Sequence, residues 1–233
     1  MRHTLLILSH LLRYPSEAMQ QAAPELVAAL ELDGVLESGQ IEEVKPLVQA
    51  LIDDELLDLQ EGYSSLFDRG RALSLHLFEH VHGESRDRGQ AMVDLRDRYE
   101  ARGLEIAANE LPDYLPLFLE YLSVLPTEQA LEELSQPGVV IAALAQRLAE
   151  KGTPWAAPMQ VLSGLAGASA DELAIVPPDD PDDLAALDKA WAEEQVRFDA
   201  PAAPAAPDAA CPQAAAMVAR FGSLNLSRSE VHG

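Results

Sequence analysis

Leu111-Pro112-Asp113-Tyr114-Leu115-Pro116-Leu117-Phe118-Leu119-Glu120-Tyr121-Leu122-Ser123-Val124-Leu125 is apolar almost all the way round, with Glu120 its only charge after Asp113. A helix that is apolar on every side must be buried among others, so this segment predicts the central helix of an all-α fold. Pro116 looks like a breaker, but with Asp113 as N-cap it falls at N3, where no intrahelical bond is lost. The proline then marks a helix start, and Glu110 and Asp113 sit at its positive end.

Outward from that segment, apolar residues recur at helical spacing almost everywhere, and β-branched clusters stay as short as Val139-Val140-Ile141. Leu5, Leu8 and Leu12 form a first stripe ended by Pro15. A second helix is predicted over 24–32, starting at Pro24 and stopped by Gly34. Ile41, Val44, Val48, Leu51, Ile52 and Leu59 mark a longer helix that starts or kinks at Pro46. The next is predicted over 73–82, ending at Gly83; another runs over 87–102, where Met92, Leu95 and Tyr99 share a face before Gly103. Further helices are predicted at 127–135, 138–151, 155–165 and 182–198, the last two separated by the linker Val176-Pro177-Pro178-Asp179-Asp180-Pro181. Residues 1–199 therefore read as one helical bundle domain. From 200 to 233 the composition shifts to Ala, Pro and Asp, which cannot bury a core, and a disordered tail is expected.

The 233 residues carry 39 acids against 16 basic residues, a net charge of −23, with 48% apolar residues to build a core. Such a charge repels phosphate backbones and excludes nucleic-acid partners, while favouring basic peptides. Cys211 is the only cysteine, which removes disulfide scaffolds and Cys-based metal sites. The run Leu5-Leu6-Ile7-Leu8 is far shorter than the roughly 20 residues that span a bilayer. Arg13, Tyr14 and Pro15 stand where a small-residue cleavage site should follow, so no signal peptide is expected. The sequence reads as cytoplasmic, without stable membrane association.

His76-Leu77-Phe78-Glu79-His80 matches the H-x-x-E-H pattern of one metallopeptidase group, where two histidines four apart on a helix hold zinc and the Glu polarises water. Leu73, Leu77 and Val81 lie beside them, so histidines at the edge of an apolar stripe are the simpler reading. Arg69, Arg71, Arg86, Arg88, Arg96, Arg98 and Arg102 are interleaved with Glu79, Glu84, Asp87, Asp94, Asp97 and Glu100, and the pairs Asp94–Arg98 and Arg96–Glu100 stand at i,i+4. That spacing describes a salt-bridged solvent face or a polar ridge along a groove. Phosphate-binding glycine loops are missing, and Gly167-Ala168-Ser169-Ala170-Asp171 lacks the second glycine of a nucleophile elbow. No catalytic residues are expected, and the chain is read as a non-enzyme.

Two blocks carry a resemblance. Tyr63-Ser64-Ser65-Leu66-Phe67-Asp68-Arg69-Gly70-Arg71, continued by Ser74 to Val93, resembles the NarJ-type chaperones that assemble respiratory nitrate reductase. Glu110-Leu111-Pro112-Asp113-Tyr114-Leu115-Pro116 with Leu119-Glu120-Tyr121-Leu122 is similar to a second hallmark of that family, within the wider TorD-like group of molybdoenzyme maturation chaperones. The likeness covers about residues 4 to 198; Tyr114 stands where many of the wider group have histidine, so no role of that histidine is carried over.

The resemblance implies an all-helical chaperone with no metal ligands and no cofactor of its own. It would bind the apo catalytic α subunit of respiratory nitrate reductase, including its N-terminal leader-like peptide. It would also promote molybdenum cofactor insertion, and delay membrane docking until maturation is complete. Molybdenum cofactor delivery proteins are further partners on this reading. A client-peptide groove is expected between the segment ending at His82 and the loop 110–114: His76, His80, Glu84 and Arg86 form a polar wall, Glu110 and Asp113 meet client Arg or Lys, and Tyr114, Phe118 and Tyr121 form the floor. The alternatives are a zinc hydrolase using His76, Glu79 and His80, or a generic helical adaptor.

Overall fold

A computed structural model describes residues 1–81, 86–106 and 110–168 of the chain. Among them the regular elements are helices: α1 (Arg2–Leu11), α2 (Glu17–Asp33), α3 (Ser38–Asp53), α4 (Leu56–Phe67), α5 (Arg86–Glu100), α6 (Leu115–Ser123), α7 (Thr127–Ser135), α8 (Gly138–Glu150) and α9 (Ala156–Ala166), with 3₁₀ turns at Arg71–Leu73 and Leu77–His80. The all-α expectation holds. The expected helix at 182–198 and the tail lie outside the described residues.

α6 packs along α1, which also meets α2; α2 pairs with α3, and α8 with α9, which reaches α3 and α7. The α1–α6 seam is made of Leu5, Leu8, Leu12, Leu115, Leu119 and Leu122, all fully buried. Each such leucine contributes about 1.5–3 kcal/mol relative to leaving it exposed, so the apolar run quoted first does become the buried centre. α6 begins one residue later than predicted: Tyr114 is its N-cap and makes no side-chain cap, while Pro116 lies near N2. At that position the missing N–H is one of the first-turn donors that have no intrahelical acceptor, so the proline costs no helix bond; just ahead of it the Tyr99 hydroxyl donates to the Pro112 carbonyl (2.8 Å).

Other departures have local causes. α2 starts at Glu17, with the Ser16 hydroxyl accepting the Met19 N–H, and runs through Pro24 rather than starting there. α3 likewise contains Pro46. Both prolines are exposed, so water can satisfy the carbonyls they leave free. The stripe from Ile41 to Leu59 is two helices, broken at Asp54–Glu55, where acids suit the positive start of α4 better than the negative end of α3. Gly34 (φ +63°) and Gly103 (φ +75°) end α2 and the turn after α5 in the left-handed region, as the sequence indicated.

Asp33, at the end of α2, holds the start of α1: it accepts the Thr4 N–H (3.0 Å) and hydroxyl (2.6 Å) and lies 2.6 Å from the Met1 ammonium. These donors hold its carboxyl well below the usual range against the upward pull of burial.

Of the helix predicted over 73–82, the described residues 73–81 form no α-helix, only the end of one 3₁₀ turn and the whole of the next. His76 is extended and forms an isolated antiparallel bridge with Tyr114. Leu77 N–H donates to the Asp113 carbonyl (3.0 Å), and Leu115 N–H to the Leu75 carbonyl (2.9 Å). A long-range backbone pairing has overridden the local 3.6-residue pattern. Arg147 of α8 steadies the same segment by donating to the Ala72 carbonyl (2.8 Å). Among the described residues no helix is long and apolar enough to cross a membrane.

Candidate functional site

The bridge brings together the two sequence blocks. On one side α4 presents Tyr63, whose hydroxyl donates to the Leu12 carbonyl at the end of α1 (2.9 Å) and lies 3.2 Å from the Tyr114 hydroxyl. Its ring packs on Phe67 (4.7 Å between centroids) and edge-on to Tyr14 (5.5 Å) and Trp155 (6.1 Å). On the other side the His76 and Tyr114 rings lie 5.4 Å apart. Between them is a cleft of about 170 Å³ lined by Tyr14, Tyr63, Phe67, Asp68, Leu75, His76 and Tyr114. It adjoins a second cleft, of about 340 Å³, that shares Phe67, Asp68 and His76 and adds Arg69, Arg71, Ser74 and Glu79.

Charge is arranged around the rim. Arg13 reaches Glu120 at 2.8 Å and Glu110 at 4.0 Å, all three partly exposed. Its Nε is out of solvent and has no acceptor among the described residues, so the guanidinium is held by its outer nitrogens alone. Burial raises the pKa of both tyrosine hydroxyls, Tyr63 and Tyr114, so they stay neutral and can donate as well as accept.

Asp113 is the tie beneath the cleft. Its carboxylate accepts the Phe78 N–H (3.1 Å) and lies 3.2 Å from His76 Nδ1. That hydrogen bond, outweighing burial, raises the His76 pKa. His80 is shifted the other way: burial lowers its pKa, and Nε2 lies 2.8 Å from the Ser74 carbonyl, which requires the Nε2–H tautomer. Burial pushes the Glu79 carboxyl up, but the Ser74 hydroxyl and the neighbouring His76 and Arg88 together hold it below its usual value.

Several expected contacts need correction. Asp113 is 0% exposed, so it does not meet a client cation; its oxygens are spent on Phe78 and His76. Phe118 and Tyr121, 2% and 3% exposed, are core rather than floor. Tyr121 stacks on Tyr99 (4.7 Å) and donates to buried Glu133 (3.1 Å), away from the cleft. Of the residues expected in the groove, His76 and Tyr114 line the cleft, Glu110 lies 4.0 Å from Arg13, and His80 lies half-buried behind Ser74. Glu84 and the Arg86 side chain lie outside the described residues. The H-x-x-E-H reading loses its premise, because His76 and His80 do not share a helical face and each is engaged elsewhere. Among the described residues no three His, Cys, Asp or Glu converge as metal ligands.

Tyr14, Tyr63, Phe67, Asp68 and Arg13 were missed as site residues. In the sequence Arg13 and Tyr14 bear only on the absence of a cleavage site, and Tyr63, Phe67 and Asp68 stand in the resemblance block without a role. The paired block was the available signal.

A family model described as the nitrate reductase delta subunit matches residues 14–160. The chain is 44% identical over 198 residues to the nitrate reductase molybdenum cofactor assembly chaperone NarJ of Escherichia coli K12, covering 83% of this chain and 84% of that one. It is 30% identical over 160 residues to a probable NarJ chaperone of Bacillus subtilis 168, covering 68% and 85%. A crystal structure of a candidate redox enzyme maturation protein from Archaeoglobus fulgidus is similar in fold, with a TM-score of 0.53 at 22% identity over 72% of this chain and 94% of that one.

Proposed function

The chain belongs to the nitrate reductase delta subunit family, and from that premise we propose that it is a non-catalytic chaperone for molybdenum cofactor assembly in respiratory nitrate reductase. Its client is the apo catalytic α subunit, met in part through that subunit's N-terminal leader-like peptide. Holding the apo-enzyme lets the molybdenum cofactor be inserted, and withholds the client from its membrane partner until it is complete.

The observation that supports this reading best is the bridge between His76 and Tyr114, which turns two distant sequence blocks into one tyrosine-walled, acid-rimmed cleft. A net charge of −23 attracts a basic client segment from a distance, and neutral aromatic walls give it a surface to bury against. His76, Tyr114 and Glu110 are the contacts retained from the sequence reading.

Calorimetric titration with a synthetic N-terminal peptide of the same organism's α subunit, at low and high salt, tests it. Binding that weakens with salt is the expected outcome, since exposed charges are screened within about 8–10 Å at ordinary ionic strength. Salt-insensitive binding would shift the weight to the aromatic walls. An absence of binding at either salt, together with no recovery of the α subunit in a pull-down from nitrate-respiring cells, would sink the proposal.

A further inference from the structure

Resting on the client-binding reading above, we infer that the cleft between Tyr14, Tyr63 and Tyr114 is a subsite for one cationic side-chain head of the client, an arginine or a lysine, with Asp68 as its counter-ion. The space is suited to one such head: about 170 Å³ is the liquid volume of five or six waters, too little for a helix. Its walls are phenol rings held in place, because Tyr63 is fixed through its hydroxyl to the Leu12 carbonyl and lies beside the Tyr114 hydroxyl. Ring faces attract cations, and do so more strongly as the cation leaves water.

Asp68 is the independent observation. It stands at the C-terminal end of α4, where the helix dipole is negative and an acid is locally disfavoured. It is exposed, lines the cleft, and makes no ion pair among the described residues that would offset that placement. By contrast, the rim cation Arg13 is already matched with Glu120 at 2.8 Å. An acid that weakens its own helix and faces an aromatic cleft is explained by a cation that arrives from outside.

The test is a calorimetric cycle on the full chain. Native protein, Asp68→Asn and Tyr14→Leu are titrated with the α-subunit N-terminal peptide and with peptides in which each Arg or Lys is replaced singly by Gln. One peptide position should lose about tenfold in affinity for the native chain and less than about twofold for either variant, a loss of the size cation–ring and ion-pair contacts give. The Tm of Asp68→Asn should stay level or rise, because removing the acid relieves the end of α4. Equal losses in native and variant chains, with the native peptide still binding, would overturn the subsite and leave the client reading standing. A fall in Tm that accompanies weaker binding would overturn it in favour of a structural role for Asp68. If the native peptide does not bind the native chain, both fall together.

Discussion

Replacing Asp113 by alanine removes the acceptor of the buried Phe78 N–H and the partner of His76 in one step. The change should cost about 2–3 kcal/mol, read as a Tm lower by about 5–10 °C. Its effect on client affinity should follow the loss of shape in segment 74–81, not the loss of a contact. The same carboxylate sets the behaviour of His76 with pH. Because the folded pKa of His76 lies above its unfolded value near 6.5, its contribution to stability is fully present below that pH and fades as pH rises through the folded pKa. His80 works in the opposite sense: its folded pKa is depressed, so its contribution is present above about 6.5 and is lost as the pH falls toward the folded value. The two oppose each other in a stability profile, so proton NMR of the two rings is the measurement that separates them. The His76 midpoint should lie above that of His80 and drop in Asp113→Asn. At this scale the sequence was informative about residue types and poor about depth. The acid at 113 and the aromatics at 118 and 121 were picked out, but nothing local distinguishes a carboxylate on a rim from one sealed beneath it.

Elements fared better where propensity and packing agree. α7, Thr127–Ser135, coincides with its predicted range, since the preceding Pro126 and the apolar spacing coincide there. They fared worse where tertiary pairing decides, as in segment 73–82, or where a proline stays on the wet face of a helix, as at Pro24 and Pro46. Two contacts between elements are open to direct test. Asp33→Ala leaves the Thr4 N–H and hydroxyl without their acceptor and should lower stability by about 1–3 kcal/mol by denaturant titration. Since the native carboxyl has a depressed pKa, the stability it supplies is present above its unfolded value near 3.8 and disappears as pH falls through the folded one. The native and Asp33→Ala curves should therefore converge in acid. Gly138→Ala probes the seam between α8 and α9. A Cβ built there comes within 2.9 Å of the Ala168 Cβ and 3.2 Å of the Ala166 Cβ. Gly138 is the first residue of α8, where the helix-interior preference for alanine of about 1 kcal/mol is only partly felt, whereas overpacking costs about 1–3 kcal/mol. A net loss of stability is expected, and a gain would show that α9 can retreat.

Across the whole molecule, the site is assembled from residues at 13–14, 63–68, 75–79 and 110–120, each on a different element. Local periodicity carries no information about such an assembly; the two recognised blocks did, by standing apart in sequence yet matching one family. The composition supplied the rest, because a charge of −23 makes a basic partner favourable before any contact forms. The bridge at His76 and Tyr114 has a topological consequence as well. It fastens two points of the chain 38 residues apart, so α5 belongs to an excursion closed at its neck by the Leu77 and Leu115 hydrogen bonds and pinned partway along by the Tyr99 hydroxyl. Arg102 lies in the exposed turn of that excursion. Tryptic cleavage there would give two fragments on a denaturing gel that still migrate as one particle under native conditions, with the client cleft intact.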